Sequence, residues 1–194
     1  KNMEMKYGQP FNLMHWSEQN QDKLTPPVCN TALFPDGDFI INMVGGPNKR
    51  TDFHCNPTEE IFYQIKGNAY LNVWDRGQFE QIRLNEGDIF LLPAYLNHSP
   101  QRPEAGGLCF LVEKPRTKDQ KDAFNWYCAN CATLVGSVGD HVEDLVADLP
   151  SAFKLFYDRS DANRTCPQCG EVHPGRQASQ WLQRFAEVHN PAYA

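Results

Sequence analysis

The sequence predicts an all-β fold, an antiparallel barrel or sandwich with a small cysteine-rich appendage and a few short helices. Three observations carry this. Short apolar or alternating runs recur from residue 31 to residue 113, and turn residues, mostly glycine, end nearly every one. Helical periodicity is sparse before the last third of the chain. Four of the seven cysteines form two Cys-x-x-Cys pairs, a pattern of metal binding in a reducing compartment rather than of a disulfide framework.

Bulk composition narrows the function. With 194 residues, 41% of them hydrophobic, the chain can bury one good core and a smaller appendage. Its net charge is -6 and its 18 Lys and Arg are scattered, so the basic footprint that nucleic acid requires is missing. Apolar runs of four or five residues exclude a membrane-spanning helix. Lys1–Lys6 lacks the apolar core of a secretory signal. With reduced cysteines, the expected location is the cytoplasm.

In chain order, residues 10–18 open a short helix that ends before Pro26-Pro27, with His15 as a surface or packing residue. Residues 31–34 and 38–44 read as strands joined by Pro35-Asp36-Gly37, and Gly45-Gly46-Pro47-Asn48 breaks the chain. The run 61–65 is a strand, and Gly67-Asn68 suggests a type I′ hairpin returning through 69–74. Asp75-Arg76-Gly77 turns into 79–84, Gly87-Asp88 into 89–92, and 108–113 closes the series. Pro93, Pro100 and Pro103 place His98 near a strand edge or barrel mouth.

After Pro115 the composition shifts, and 116–122 reads as a charged linker. A short strand at 133–135, an acidic stretch 140–148, a helix at 151–157 behind Pro150, and an amphipathic helix from Gln177 to Val188 follow. The expected division is 1–115 for the barrel, 116–176 for the cysteine-rich subdomain and 177–194 for a helical extension.

The chemistry concentrates between Arg50 and Glu113. His54, His98 and one carboxylate of Glu59-Glu60 form a 2-His-1-carboxylate set, the usual holder of a non-haem Fe(II) that leaves positions open. The strand period sends Glu59 and Glu60 to opposite faces without saying which is inside. The bland alternative is that all three are ordinary loop and edge residues. Arg50 stands four residues before His54 and Arg102 four after His98. Arginine suits planar recognition of carboxylates, so an organic acid is the expected substrate, unless both are solvated surface residues. Glu113 ends an otherwise apolar strand and needs a buried partner. Cys128, Cys131, Cys166 and Cys169 can hold iron or zinc tetrahedrally. Cys29 and Cys109 read as small buried apolar residues.

Several strings in one order go further: Val44-Gly-Gly-Pro-Asn48, Arg50-Thr-Asp-Phe-His54, Glu59-Glu-Ile-Phe-Tyr-Gln64, Glu86-Gly-Asp-Ile-Phe-Leu-Leu-Pro93, His98-Ser-Pro-Gln-Arg-Pro103, Trp126-Tyr-Cys-Ala-Asn-Cys131 and Cys166-Pro-Gln-Cys-Gly-Glu-Val-His173. Up to about Arg176 the chain closely resembles the 3-hydroxyanthranilate 3,4-dioxygenase family of cupin enzymes. The resemblance implies a cupin-type jelly roll with a rubredoxin-like subdomain. It implies Fe(II) on His54, Glu60 and His98, and substrate held by Arg50, Arg102 and Glu113, with Asn30 and Asp52 lining the pocket. Asp52 stands where many cupins have the first His of His-x-His, which leaves three ligands.

It further implies cleavage of 3-hydroxyanthranilate by O2 to 2-amino-3-carboxymuconate semialdehyde, which closes to quinolinate. A second iron, for which zinc is chemically equivalent, and a homodimer complete the expectation. Two rivals remain open on the residues alone: a non-catalytic metal-binding cupin, and a cupin enzyme acting on another carboxylated substrate.

Overall fold

The computed structural model describes residues 8–27 and 29–192. The reading of Lys1–Lys6 lies outside the described residues. Two helices, α1 (Leu13–Gln19) and α2 (Gln21–Leu24), precede the strands β1 (Asn30–Ala32), β2 (Ile40–Val44), β3 (Phe53–Cys55), β4 (Glu60–Lys66), β5 (Ala69–Asp75), β6 (Gln78–Leu84), β7 (Ile89–Leu92), β8 (Asn97–Gln101), β9 (Leu108–Glu113), β10 (Asp122–Tyr127) and β11 (Leu134–Asp140). Helices α3 (Leu145–Tyr157) and α4 (Ala178–His189) follow, separated by a 3-10 turn, Asp161–Arg164. The strands form two antiparallel sheets, ordered β1-β2-β9-β4-β7 and β11-β10-β3-β8-β5-β6. This is the expected all-β jelly roll. Its main core lies between the sheets, where Phe62, Leu92 and Leu111 of one meet Leu71, Val73 and Leu84 of the other.

One turn differs from expectation. Gly67-Asn68 does not close a hairpin: β4 and β5 lie in different sheets, so this is a corner where the chain crosses over. Gly67 has φ +69, its N–H donates to Glu86, and Asn68 donates to Glu104 from both backbone and side chain. Side-chain carboxylates therefore shape the corner in place of a ladder. The type I′ hairpin is the next turn, where β5 and β6 pair down to Asp75↔Gln78 and both Arg76 and Gly77 have positive φ.

His98 is also not at an edge. It sits on β8, between β3 and β5, opposite His54 on one side and Val73 on the other. Pro100 is tolerated in this inner strand because β3 pairs with β8 only at His54↔His98, which leaves the ladder beside the proline already open.

The segment 116–122 is irregular and mostly exposed along its middle, as a charged linker should be, but the side chains at its two ends are buried. Arg116 has a fully buried side chain, and β10 pairs with β3 through Phe124↔His54, extending the barrel sheet. Helix α3 begins earlier than Pro150 suggests: Asp144 caps it by accepting from Val146 N and Ala147 N, and the proline lies inside the helix. Its Phe156 stacks on Trp126 with centroids 4.2 Å apart. Gly136 permits that approach, since a Cβ there would stand 2.5 Å from the Phe156 ring. Helix α4 covers the outer face of the larger sheet. Trp181 and Phe185 are buried against Phe53 and Tyr127, and the Trp181 indole donates to the Tyr127 carbonyl at 2.8 Å. That cover explains why β5 is buried on both faces.

Candidate functional site

One cavity inside the barrel is lined by Asn30, Arg50, His54, Glu60, His98, Arg102 and Glu113, together with Cys29, Asn48, Val44, Leu111, Leu145 and Leu149. Strand pairing assembles it. β3 and β8 set His54 against His98, and β4 and β9 set Glu60 against Glu113. The alternation of β4 turns Glu60 inward and Glu59 out.

His98 donates Nδ1–H to the Leu96 carbonyl at 2.9 Å, which leaves Nε2 with its lone pair, 3.4 Å from Glu60 Oε2. Burial lowers the His98 pKa to about 4, so the ring is neutral near pH 7. Glu60 Oε2 is buried without a hydrogen-bond partner, and burial raises its carboxyl above the usual range despite His54, Arg102 and Arg116 nearby. The His54 ring lies 5.4 Å from that of His98, but its Nε2 meets Asp122 Oδ2 at 2.5 Å. The structure thus brings Glu60 and His98 into direct contact and holds His54 beside them on a carboxylate. Two imidazoles and a carboxylate with a free buried oxygen are a donor set that fits a divalent transition metal.

The two arginines are not equivalent. Arg50 is paired with Asp52 and lies over the Phe153 ring of α3. Asp52, expected to line the pocket, faces a neighbouring outer cleft bounded by Lys49, Tyr157 and Arg176. Arg102 is buried, with its Nε lacking any hydrogen-bond partner. Glu113 pairs with Arg116 at 2.6 Å. Burial and the neighbouring Glu60 push its pKa up to about 7, against the pull of Arg116.

Sequence reading missed Arg116 and Asp122, which sit in a charged run that looks solvated. The only local signal was the alternation of Asp122-Ala-Phe-Asn-Trp-Tyr, a strand whose first residue must face somewhere. It also missed Leu145 and Leu149, which α3 brings to the cavity wall.

At the far end of β10, Cys128 and Cys169 sulfurs lie 3.5 Å apart, as do those of Cys131 and Cys166, and all four fall within 4.8 Å of one another. Thiolates bonded at about 2.3 Å to a tetrahedral metal would be separated by roughly 3.8 Å, so the cluster fits one. All seven cysteines are free, and Cys29 and Cys109 are buried.

The profile of the 3-hydroxyanthranilic acid dioxygenase family matches residues 5–157. The chain belongs to this family. A 3-hydroxyanthranilate 3,4-dioxygenase of Cupriavidus pinatubonensis is 48% identical over 94% of this chain and 97% of its own length. One from Burkholderia cenocepacia is 49% identical over 89% and 97%. A cupin-2 domain protein from Shewanella frigidimarina overlays 45% of this chain and 79% of its own at TM-score 0.37 and 18% identity, too partial to bear on the site. Family membership covers the whole constellation from Asn30 to Asp122, so the residues lining the cavity belong to the matched part of the chain. Among the described residues no helix is long and apolar enough to cross a membrane.

Proposed function

We propose that this chain is an Fe(II)-dependent dioxygenase that opens the ring of 3-hydroxyanthranilate with O2. The product is 2-amino-3-carboxymuconate semialdehyde, which cyclises to quinolinate on the route from tryptophan to NAD. The observation carrying this is a pair of buried atoms in one cavity that make no hydrogen bond, Glu60 Oε2 and Arg102 Nε. One suits a metal cation and the other the substrate carboxylate.

His54, Glu60 and His98 would hold the iron, which would supply Lewis-acid and O2-activating chemistry in this cavity. Arg102 fixes the substrate carboxylate through Nε, and Arg50, kept charged and aimed by Asp52, supports it from the α3 side. Asn30 orients the polar edge of the ring from the cavity wall. Glu113, protonated up to about pH 7, can give a proton to or take one from the ring substituents. Val44, Leu111, Leu145 and Leu149 keep water from the reacting ring.

The four cysteines hold a second iron, or zinc, as a structural centre. Two copies associate through the outer face of β4 and β7, where Ile61, Tyr63, Ile89 and Leu91 pair across strands while 37–73% exposed. The protein works in the cytoplasm.

Anaerobic loading with Fe(II), followed by oxygen uptake on adding 3-hydroxyanthranilate, tests the proposal. One O2 per substrate, with a transient absorbing product decaying to quinolinate, is expected. No uptake with iron present at the histidine site would overturn it.

A further inference from the structure

One buried constellation beside the cavity has no part in the chemistry so far. The Arg116 side chain is fully buried, and its fork donates from Nε to Asp122 Oδ1 at 2.9 Å, from Nη2 to Asp122 Oδ2 at 2.6 Å, and from Nη1 to Glu113 Oε2 at 2.6 Å. Asp122, also fully buried, accepts from His54 Nε2 at 2.5 Å. Burying such charges costs desolvation that apolar residues would avoid, so stability alone is a poor reason for the arrangement.

We propose that Arg116 and Asp122 are positioning residues of the catalytic centre: one buried guanidinium holds the Asp122 carboxylate against His54 and the Glu113 carboxyl at the cavity wall. This rests on the reading of His54 as a metal ligand. A ligand imidazole commonly gives its second N–H to a carboxylate or carbonyl, which fixes tautomer and ring orientation. Asp122 occupies the Nε2 side of His54, so Nδ1 is the nitrogen left for a metal. His98 is fixed by the opposite nitrogen, on the Leu96 carbonyl. The two imidazoles are therefore held through opposite nitrogens, and that of His54 is tied to Glu113 through Asp122 and Arg116.

The fold delivers both parts with little freedom. Asp122 opens β10, two residues ahead of Phe124, which pairs with His54. Arg116 lies three residues beyond Glu113, at the exit of β9. The planar fork is what lets one cation serve two carboxylates, and a lysine ammonium in its place is a point charge that cannot.

The test is anaerobic Fe(II) titration of full-length protein whose histidine site has been emptied and whose cysteine metal is retained. The variants are Asp122→Asn, Arg116→Lys and, as a control, His54→Ala. Asp122→Asn should raise the Fe(II) dissociation constant about 10–100-fold. At saturating Fe(II) its KM for 3-hydroxyanthranilate should stay near that of the unsubstituted protein. Arg116→Lys should lose iron affinity to a similar degree despite keeping the charge, and should also change KM, because Glu113 is released.

If Asp122→Asn fails to fold, Asp122→Asn combined with Arg116→Met, which leaves no unpaired buried cation, carries the iron-affinity comparison. Unchanged iron affinity in the aspartate variant, with iron lost in His54→Ala, would overturn the positioning role and leave the ligand reading intact. Iron retained in His54→Ala would overturn both. Full rescue by lysine would remove the role assigned to the fork.

Discussion

Arg102 enters the cavity with a buried, unpartnered Nε, whereas Arg50 arrives already paired with Asp52. A charge-assisted hydrogen bond is worth about 1.5–3 kcal/mol, so Arg102→Ala should raise KM for 3-hydroxyanthranilate roughly 10–100-fold. Steady-state kinetics at saturating iron would check this, and an unchanged KM would remove Arg102 from substrate binding. Glu113 yields a pH prediction. Its folded pKa of about 7 lies above the ordinary carboxylate value, so the folded protein keeps a proton that the unfolded chain releases. This contribution is full below the unfolded value and lost as pH rises through about 7. The melting temperature of metal-free Glu113→Gln, relative to the parent, should therefore climb across that window. A pH-independent difference would mean that Arg116 holds Glu113 ionised throughout. These site residues were legible because strand alternation and flanking arginines are local patterns. Asp122 was not, since nothing local distinguishes a charge paired with a residue 68 positions away from one facing water. Arg116 pairs with residues only three and six positions off, but in a charged run that reads as solvated.

Among the elements, the two Cys-x-x-Cys turns come from segments separated by the whole of β11 and α3, yet their sulfurs converge within bonding range of one ion. Cys128→Ser should lower the melting temperature and release the cysteine metal before it impairs turnover, because binding that metal is part of the folding free energy. Differential scanning calorimetry alongside metal analysis would tell. A variant equally stable but inactive would contradict a structural role. Helix α4 was readable from the spacing of Trp181, Leu182 and Phe185, although Val188, on the same stripe, stays 39% exposed. The corner at Gly67 was misread as a hairpin because a glycine-asparagine turn looks the same whether its flanking strands pair or part. Only the sheet assignment of β4 and β5 separates the cases. Pro150 misled in the same way: a proline can open a helix or sit in its first turns, and the Asp144 cap decides.

At the scale of the whole molecule, alternation and glycine turns were enough to foresee an antiparallel barrel, but not the six-stranded sheet that runs from β11 to β6 through the site. Sheet order depends on pairs distant in sequence, such as β3 with β10, which no window of residues contains. The outer β4–β7 face is an exposed apolar surface, with Ile89 73% exposed on an edge strand. Ile89→Lys should shift the sedimentation coefficient from a dimer toward a monomer while leaving iron content unchanged. A parent protein that already sediments as a monomer would refute the dimer.

Strand β10 joins the two halves of the protein in a way that constrains its history. Asp122 at one end engages His54, and Cys128 follows directly after the other end. Sliding this strand by a single residue would turn Phe124 and Trp126 toward the wrong face and withdraw Asp122 from His54. An insertion or deletion between 122 and 128 would therefore disturb both ends at once. The length of this one strand is a ruler shared by the barrel cavity and the cysteine cluster.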